Sequence, residues 1–330
     1  MMKRAAVCLF FLLLLLPQRG YPDDYSLRIV TPVDMTYTQG GQTISVVSRV
    51  SENAFSSLKI YVDGDLQKTL SDIDGKRYVC SVADVHPGIN TIMVSGIMED
   101  GGAVSRQVKV FIISPISARY GNPPDGYTQY WFHSSSSTCF TCHQMQPQKS
   151  DLYPAKHSDS SCYVCHKDIT DRKYVHGPTA AWACLMCHDP KADPKYSTPN
   201  PPVKMCEKCH GDDIAAWQKL KHQHGPFALG MCTTCHSPHG SNWPFWTRKF
   251  PTDLCLSCHV GQSGNHVITF FNGDPHPMRG HPDPRHPGRE LSCASCHSPH
   301  ASPYRFQLFG DYRHPRTFCR GCHFTKAMPY

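Results

Sequence analysis

The chain has 330 residues, enough for about two domains, and a formal charge of +7 that would ordinarily point to nucleic acid. Three of those cations, Lys3, Arg4 and Arg19, lie in an amino-terminal stretch that reads as an export signal, and their loss leaves +4. Export disfavours a nucleic-acid partner, and no later stretch has the roughly 20 apolar residues that a membrane-spanning helix requires.

Lys3 and Arg4 form a short basic region ahead of the apolar run 5–16. Twelve apolar residues are too few to cross a bilayer, so residues 1–20 are expected to be a signal peptide cleaved near Gly20. Cys8 precedes most of that run, the wrong place for a lipid-modified terminal cysteine. The mature chain is therefore expected to be soluble, without a transmembrane segment, and exported to the periplasm or to the cell surface and exterior.

Residues 25–114 carry short alternating apolar runs at 27–31, 44–50, 58–62, 78–82, 91–97 and 104–113. Turn residues separate them: Gly40-Gly41, Asp63-Gly64, Asp74-Gly75, Pro87-Gly88 and Asp100-Gly101-Gly102. Six or seven strands at this spacing predict an all-β sandwich. Cys80 is expected to be a buried thiol packing as a small apolar residue, and His86 a surface histidine beside a turn. No catalytic site is assigned to this part. Residues 115–132, rich in Pro, Gly and aromatics, read as a linker. From 133 to 330 Pro and Gly recur and regular structure fades, with a comfortable helix only at 212–220.

That irregular part is organised by one repeat. Cys-x-x-Cys-His occurs eight times, taking sixteen of the eighteen cysteines. The thiols are Cys139 and Cys142, Cys162 and Cys165, Cys184 and Cys187, Cys206 and Cys209, Cys232 and Cys235, Cys255 and Cys258, Cys293 and Cys296, and Cys319 and Cys322. The histidines that follow are His143, His166, His188, His210, His236, His259, His297 and His323. A lone Cys-x-x-Cys suits a zinc knuckle or a redox dithiol, but a zinc ribbon fixes no histidine after every second cysteine, and no βαβ context is visible. Eight copies in register in an exported chain read as eight covalently bound c-type haems. Each thiol forms a thioether with a vinyl group, and the histidine becomes the proximal iron ligand. Residues 133–323 number 191, about 24 per motif, so the macrocycles must supply much of the buried apolar surface. Each ferric haem with both propionates ionised carries −1, which takes the exported protein near −4 and pairs much of the Arg and Lys with propionates.

First cysteines step by 23, 22, 22, 26, 23, 38 and 26 residues, the mark of a repeated unit. The unit is a pair of motifs, because His133, His176, His224 and His286 lie six to eight residues ahead of motifs one, three, five and seven. Motifs five and seven continue as CHSPH, placing His239 and His300 three residues past the proximal histidine. Thirteen histidines remain outside the motifs, enough for a second imidazole on every iron. The nine positional candidates are His133, His157, His176, His222, His224, His239, His286, His300 and His314, with His266, His276 and His281 in reserve. Gln146 and Lys191 stand where His239 and His300 stand later; Lys191, Met205 or Met231 is the alternative ligand for the second pair if His222 does not serve.

The stretch 85–112 (VHPGINTIMVSGIMEDGGAVSRQVKVFI) resembles the last strands of bacterial immunoglobulin-like domains, with a Pro-Gly-x-Asn turn and then an Asp-Gly turn. Residues 133–323 resemble the doubled-CXXCH multihaem cytochromes. Together they imply an immunoglobulin-like sandwich followed by a loop-rich octahaem cytochrome c domain with short helices. The function implied is respiratory or extracellular electron transfer along closely packed bis-histidine haems. Its partners are other cytochromes or a membrane electron-transfer complex, and self-assembly is a weaker expectation. The alternative is an octahaem reductase or oxidase acting on nitrogen or sulfur oxyanions. Those families use an open or lysine-held haem, and only Lys191 speaks for one, since all eight motifs end in histidine.

Overall fold

The computed structural model describes residues 27–39, 43–114, 119–131, 133, 139, 143, 145–262, 275–311 and 313–323. The expected export signal, Cys142 and His266 lie outside the described residues.

Residues 28–113 form the strands β1 (Arg28–Thr31), β2 (Thr36–Gln39), β3 (Thr43–Arg49), β4 (Ser57–Val62), β5 (Asp65–Leu70), β6 (Tyr78–Asp84), β7 (Gly88–Ile97) and β8 (Ala103–Ile113). A ninth, β9 (Thr128–Gln129), comes from the stretch read as linker and pairs with β2. One sheet runs β1-β3-β6 and the other β5-β4-β7-β8-β2-β9. Alternation drives the packing. Leu58, Ile60 and Val62 of β4 point inward with Ile92 and Val94 of β7, and meet Val46 and Val79 from the smaller sheet. At the β4–β5 hairpin both Asp63 (φ 51°) and Gly64 (φ 91°) are left-handed, the conformation a two-residue type I′ turn demands.

Two strands escape the sequence reading. β5 (DLQKTL) is a mostly polar edge strand, and β2 is four residues running parallel to β8. Gly96 of β7 lies beneath Phe55, where a Cβ would come within 2.6 Å of the ring. Gly96→Val is expected to destabilise the sandwich by about 1–3 kcal/mol, read as a lowered urea midpoint of the β-sheet signal.

The remainder holds few and short elements. The helices are α1 (Tyr163–His166), α2 (Gly177–Ala180), α3 (Val203–Gln218), α4 (Gly225–Ala228), α5 (Pro251–Leu256) and α6 (Pro315–Arg320). Two ribbons join them: β10 (Tyr174–Val175) with β12 (Gly240–Ser241), and β11 (His222–Gln223) with β13 (Ala301–Ser302). The helix expected at 212–220 is the second half of α3, which begins at Val203 and breaks at His210 (φ −107°, ψ 19°). Among the described residues no helix is long and apolar enough to cross a membrane.

Of the 26 buried hydrophobic residues among those described, nineteen lie between Leu27 and Ile112 and seven beyond residue 180. Large apolar side chains of the later part stand in the open, including Val164, Leu229, Phe245 and Phe306. Among the described residues, the later part buries few apolar side chains of its own.

Candidate functional site

Each Cys-x-x-Cys-His is a single tight turn. The histidine N–H donates to the first cysteine's carbonyl in seven copies, at 2.9–3.1 Å, as in His143 to Cys139 and His236 to Cys232, and the fourth copy lies within α3. Successive turns are neighbours in space. The first thiols of motifs two and three (Cys162, Cys184), four and five (Cys206, Cys232) and six and seven (Cys255, Cys293) lie close enough to interact directly. The second thiols meet electrostatically in the alternate steps, Cys187 with Cys209, Cys235 with Cys258 and Cys296 with Cys322. Chain order from motif two to motif eight is thus spatial order as well.

The far nitrogen of the proximal ring is held. His188 Nδ1 meets the Tyr196 carbonyl at 2.8 Å, His236 Nδ1 that of Phe245 at 2.8 Å, and His297 Nδ1 that of Phe306 at 2.6 Å. All three acceptor residues are left-handed (φ 66°, 58° and 59°), a strained state for aromatic residues that aims the carbonyl at the ring. Such a contact fixes the tautomer and leaves Nε2 free to bind a metal.

Six proximal imidazoles face a second imidazole. The pairs are His166 with His133 (ring centres 6.0 Å apart), His210 with His176 (6.3 Å) and His188 with His239 (6.0 Å). The others are His259 with His224 (5.9 Å), His236 with His300 (5.9 Å) and His323 with His276 (6.5 Å). A metal–imidazole nitrogen bond of about 2.0–2.1 Å, plus about 1.1 Å from that nitrogen to the ring centre, places two axial imidazoles roughly 6.2–6.4 Å apart. The observed pairs fit one iron between them. Burial holds His133, His166 and His300 down to about 4 and His239 to about 3, so these rings are neutral, the form that binds metal.

The ribbons explain how the sequence delivers the second rings. His176 N–H donates to the His239 carbonyl (3.1 Å) where β10 meets β12, and His224 N–H to that of His300 (2.8 Å) where β11 meets β13. In each His-Gly-Pro the proline sits in the first turn of a short helix, α2 or α4, with the histidine at its N-cap. Each ribbon therefore carries two imidazoles to the two motifs of one pair: His176 and His239 to motifs four and three, His224 and His300 to motifs six and five.

Four candidates stand elsewhere. His157 packs on Tyr163 (4.7 Å) and lines a cavity of about 580 Å³ with Trp182. His222 sits in β11, opposite Ser302. His286 Nδ1 is 2.9 Å from Asp283 Oδ2, which Ser295 also binds at 2.6 Å. His314 caps α6 at the edge of a second cavity. None of His222, His286 and His314 belongs to a described ring pair, whereas His276, only a reserve in the sequence, does. Lys191 is exposed, its N–H on Asp189. His86 is at the surface, 2.8 Å from Asp63. Cys80 is half-buried, not fully buried as expected, and lies against the thiol of Cys165.

The profile of the doubled CXXCH motif matches residues 224–264 and 286–328. Each stretch opens on an upstream histidine and holds one pair of motifs. These paired motifs imply covalently bound c-type haem and a multihaem cytochrome as the class of protein. No curated protein matches the chain. Among solved structures, fibronectin(III)-like modules of Clostridium thermocellum CbhA are 16% identical over 26% of this chain and 94% of their own, with a TM-score of 0.24. An endo-beta-1,4-mannanase from Thermotoga petrophila is 16% identical over 29% of this chain and 21% of its own, with a TM-score of 0.23. At these scores the sandwich rests on its own sheet topology.

The residues present fit the group. Beyond the spacing of the ring pairs, Trp246 Nε1 is buried without a hydrogen-bond partner among the described residues, beside His176 (ring centres 5.3 Å apart). A propionate oxygen would satisfy it.

Proposed function

We propose that the chain is an exported octahaem c-type cytochrome that passes electrons along closely packed haems, in respiratory or extracellular electron transfer. A c-type haem supplies one-electron exchange between ferric and ferrous iron. The observation that carries the reading is the set of six opposed imidazole pairs at 5.9–6.5 Å. Sixteen motif thiols hold the macrocycles, and the motif histidines are the proximal ligands. His133, His239, His176, His300, His224 and His276 would hold the iron together with His166, His188, His210, His236, His259 and His323. His157, His266, His286 and His314 are the candidates left for His143 and His297. Imidazole on both sides leaves no vacant position for a substrate, which favours conduction over bond-making. The sandwich positions this conduit against a redox partner, another cytochrome or a membrane complex.

The test is kinetic. Dithionite-reduced protein mixed with ferric chelates is expected to be reoxidised through most of its haem absorbance in rapid phases, with negligible turnover of nitrite, hydroxylamine or tetrathionate. Sustained turnover of any of those three would replace conduction with catalysis.

A further inference from the structure

His166 differs from the other proximal histidines whose far nitrogen is held. His188, His236 and His297 meet a backbone carbonyl eight or nine residues downstream, at 2.6–2.8 Å. His166 Nδ1 instead meets the hydroxyl of Ser45, on β3 of the amino-terminal sandwich and 121 residues upstream, at 3.3 Å. Ser45 belongs to a face that the sandwich core does not use. On that face Ser45 neighbours Val82 and Val47 neighbours Cys80 across the β3–β6 pairing. Val47 and Val82 are 5% and 7% exposed yet lie outside the sandwich core. The segment 163–170, which holds most of motif two and the turn after it, packs against β6.

Charged contacts rim the junction. Lys68 Nζ reaches Asp168 (3.1 Å) and Asp171 (3.0 Å), Arg172 reaches Asp84 (2.6 Å), and the Ser81 hydroxyl donates to Asp168 (2.9 Å). Cys80 lies against Cys165 itself. Two buried valines, a thiol and a hydroxyl thus converge on one Cys-x-x-Cys-His turn.

We infer that the sandwich is a fixed wall of the haem site built by Cys162, Cys165 and His166, and that Ser45 is the positioning residue that orients His166 and sets its basicity. The inference rests on the cytochrome reading. With iron on Nε2, Nδ1–H donates to the Ser45 hydroxyl. A hydroxyl at 3.3 Å draws on that proton less than a carbonyl at 2.6–2.8 Å, so His166 is a less electron-rich ligand than His188, His236 or His297. Its haem should be easier to reduce than theirs.

The experiment is a potentiometric titration of full-length holoprotein, wild type against Ser45→Ala and Ser45→Thr, after intact mass has counted the haems. Ser45→Ala is expected to raise one midpoint potential by a threefold to tenfold change in the ferric-to-ferrous ratio, about 30–60 mV at 59 mV per tenfold, and to leave the others in place. Ser45→Thr, which keeps the hydroxyl, is expected to restore it. All potentials unmoved in haem-complete Ser45→Ala would overturn the assignment, as would a uniform shift of every potential, the sign of a merely structural change. Absence of haem from the Cys162–Cys165 peptide would instead overturn the cytochrome reading.

Discussion

Made in cells that cannot attach haem, the chain is expected to keep its amino-terminal sandwich and lose everything after it. Nineteen of the buried hydrophobic residues sit between Leu27 and Ile112, against seven beyond residue 180. Fixing the backbone of each residue costs about 1–2 kcal/mol, and seven buried side chains cannot offset that over the 191 residues of 133–323. A macrocycle that hides on the order of 400 Å² of apolar surface contributes roughly 10 kcal/mol at about 25 cal/mol per Å², so the haems replace the missing core. Limited proteolysis of the haem-free chain should leave a resistant fragment close to residues 27–113 and digest the rest. A resistant fragment that includes 145–323 would contradict this.

The second large effect is expected at His239. Its ring stands 6.0 Å from that of His188 although it follows motif five, so an iron held by both would tie two motif pairs together. His239→Ala removes that tie and opens one coordination position. One haem in eight should turn high-spin in the ferric state, and the cytochrome part should lose about 2–4 kcal/mol, typical of truncating a large buried side chain. His239→Met should keep the iron low-spin but raise the potential of that single haem. His222→Ala, removing a histidine two residues from His224 that stands in no ring pair, should leave the spectrum unchanged. A silent His239→Ala spectrum, or a high-spin signal from His222→Ala, would reassign the ligands.

The Cys-x-x-Cys-His motifs are legible because their signal is local: five residues contain it whole. The inward-facing runs of the sandwich are legible for the same reason, since alternation is written along each strand. What escapes is set by distance along the chain. β5 is polar because it is an edge strand, and β2 is four residues whose partner β8 lies some seventy positions away. Position narrows the second imidazoles to nine names, but the ring partners of His176, His239, His224 and His300 are set by ribbons that join residues 174–176 to 239–241 and 222–224 to 300–302. His276 has no repeat to announce it, since it falls in the one long step of 38 residues. Nothing near motif two signals Ser45, because the contact spans 121 residues.

The most direct measurement is intact mass of the exported, native protein under denaturing conditions, which retains only covalent adducts. The expected mass is that of the processed polypeptide plus eight haems, with each of the eight motif peptides carrying one. A bare polypeptide, or motif peptides with free thiols and zinc in place of porphyrin, would contradict the account at its base.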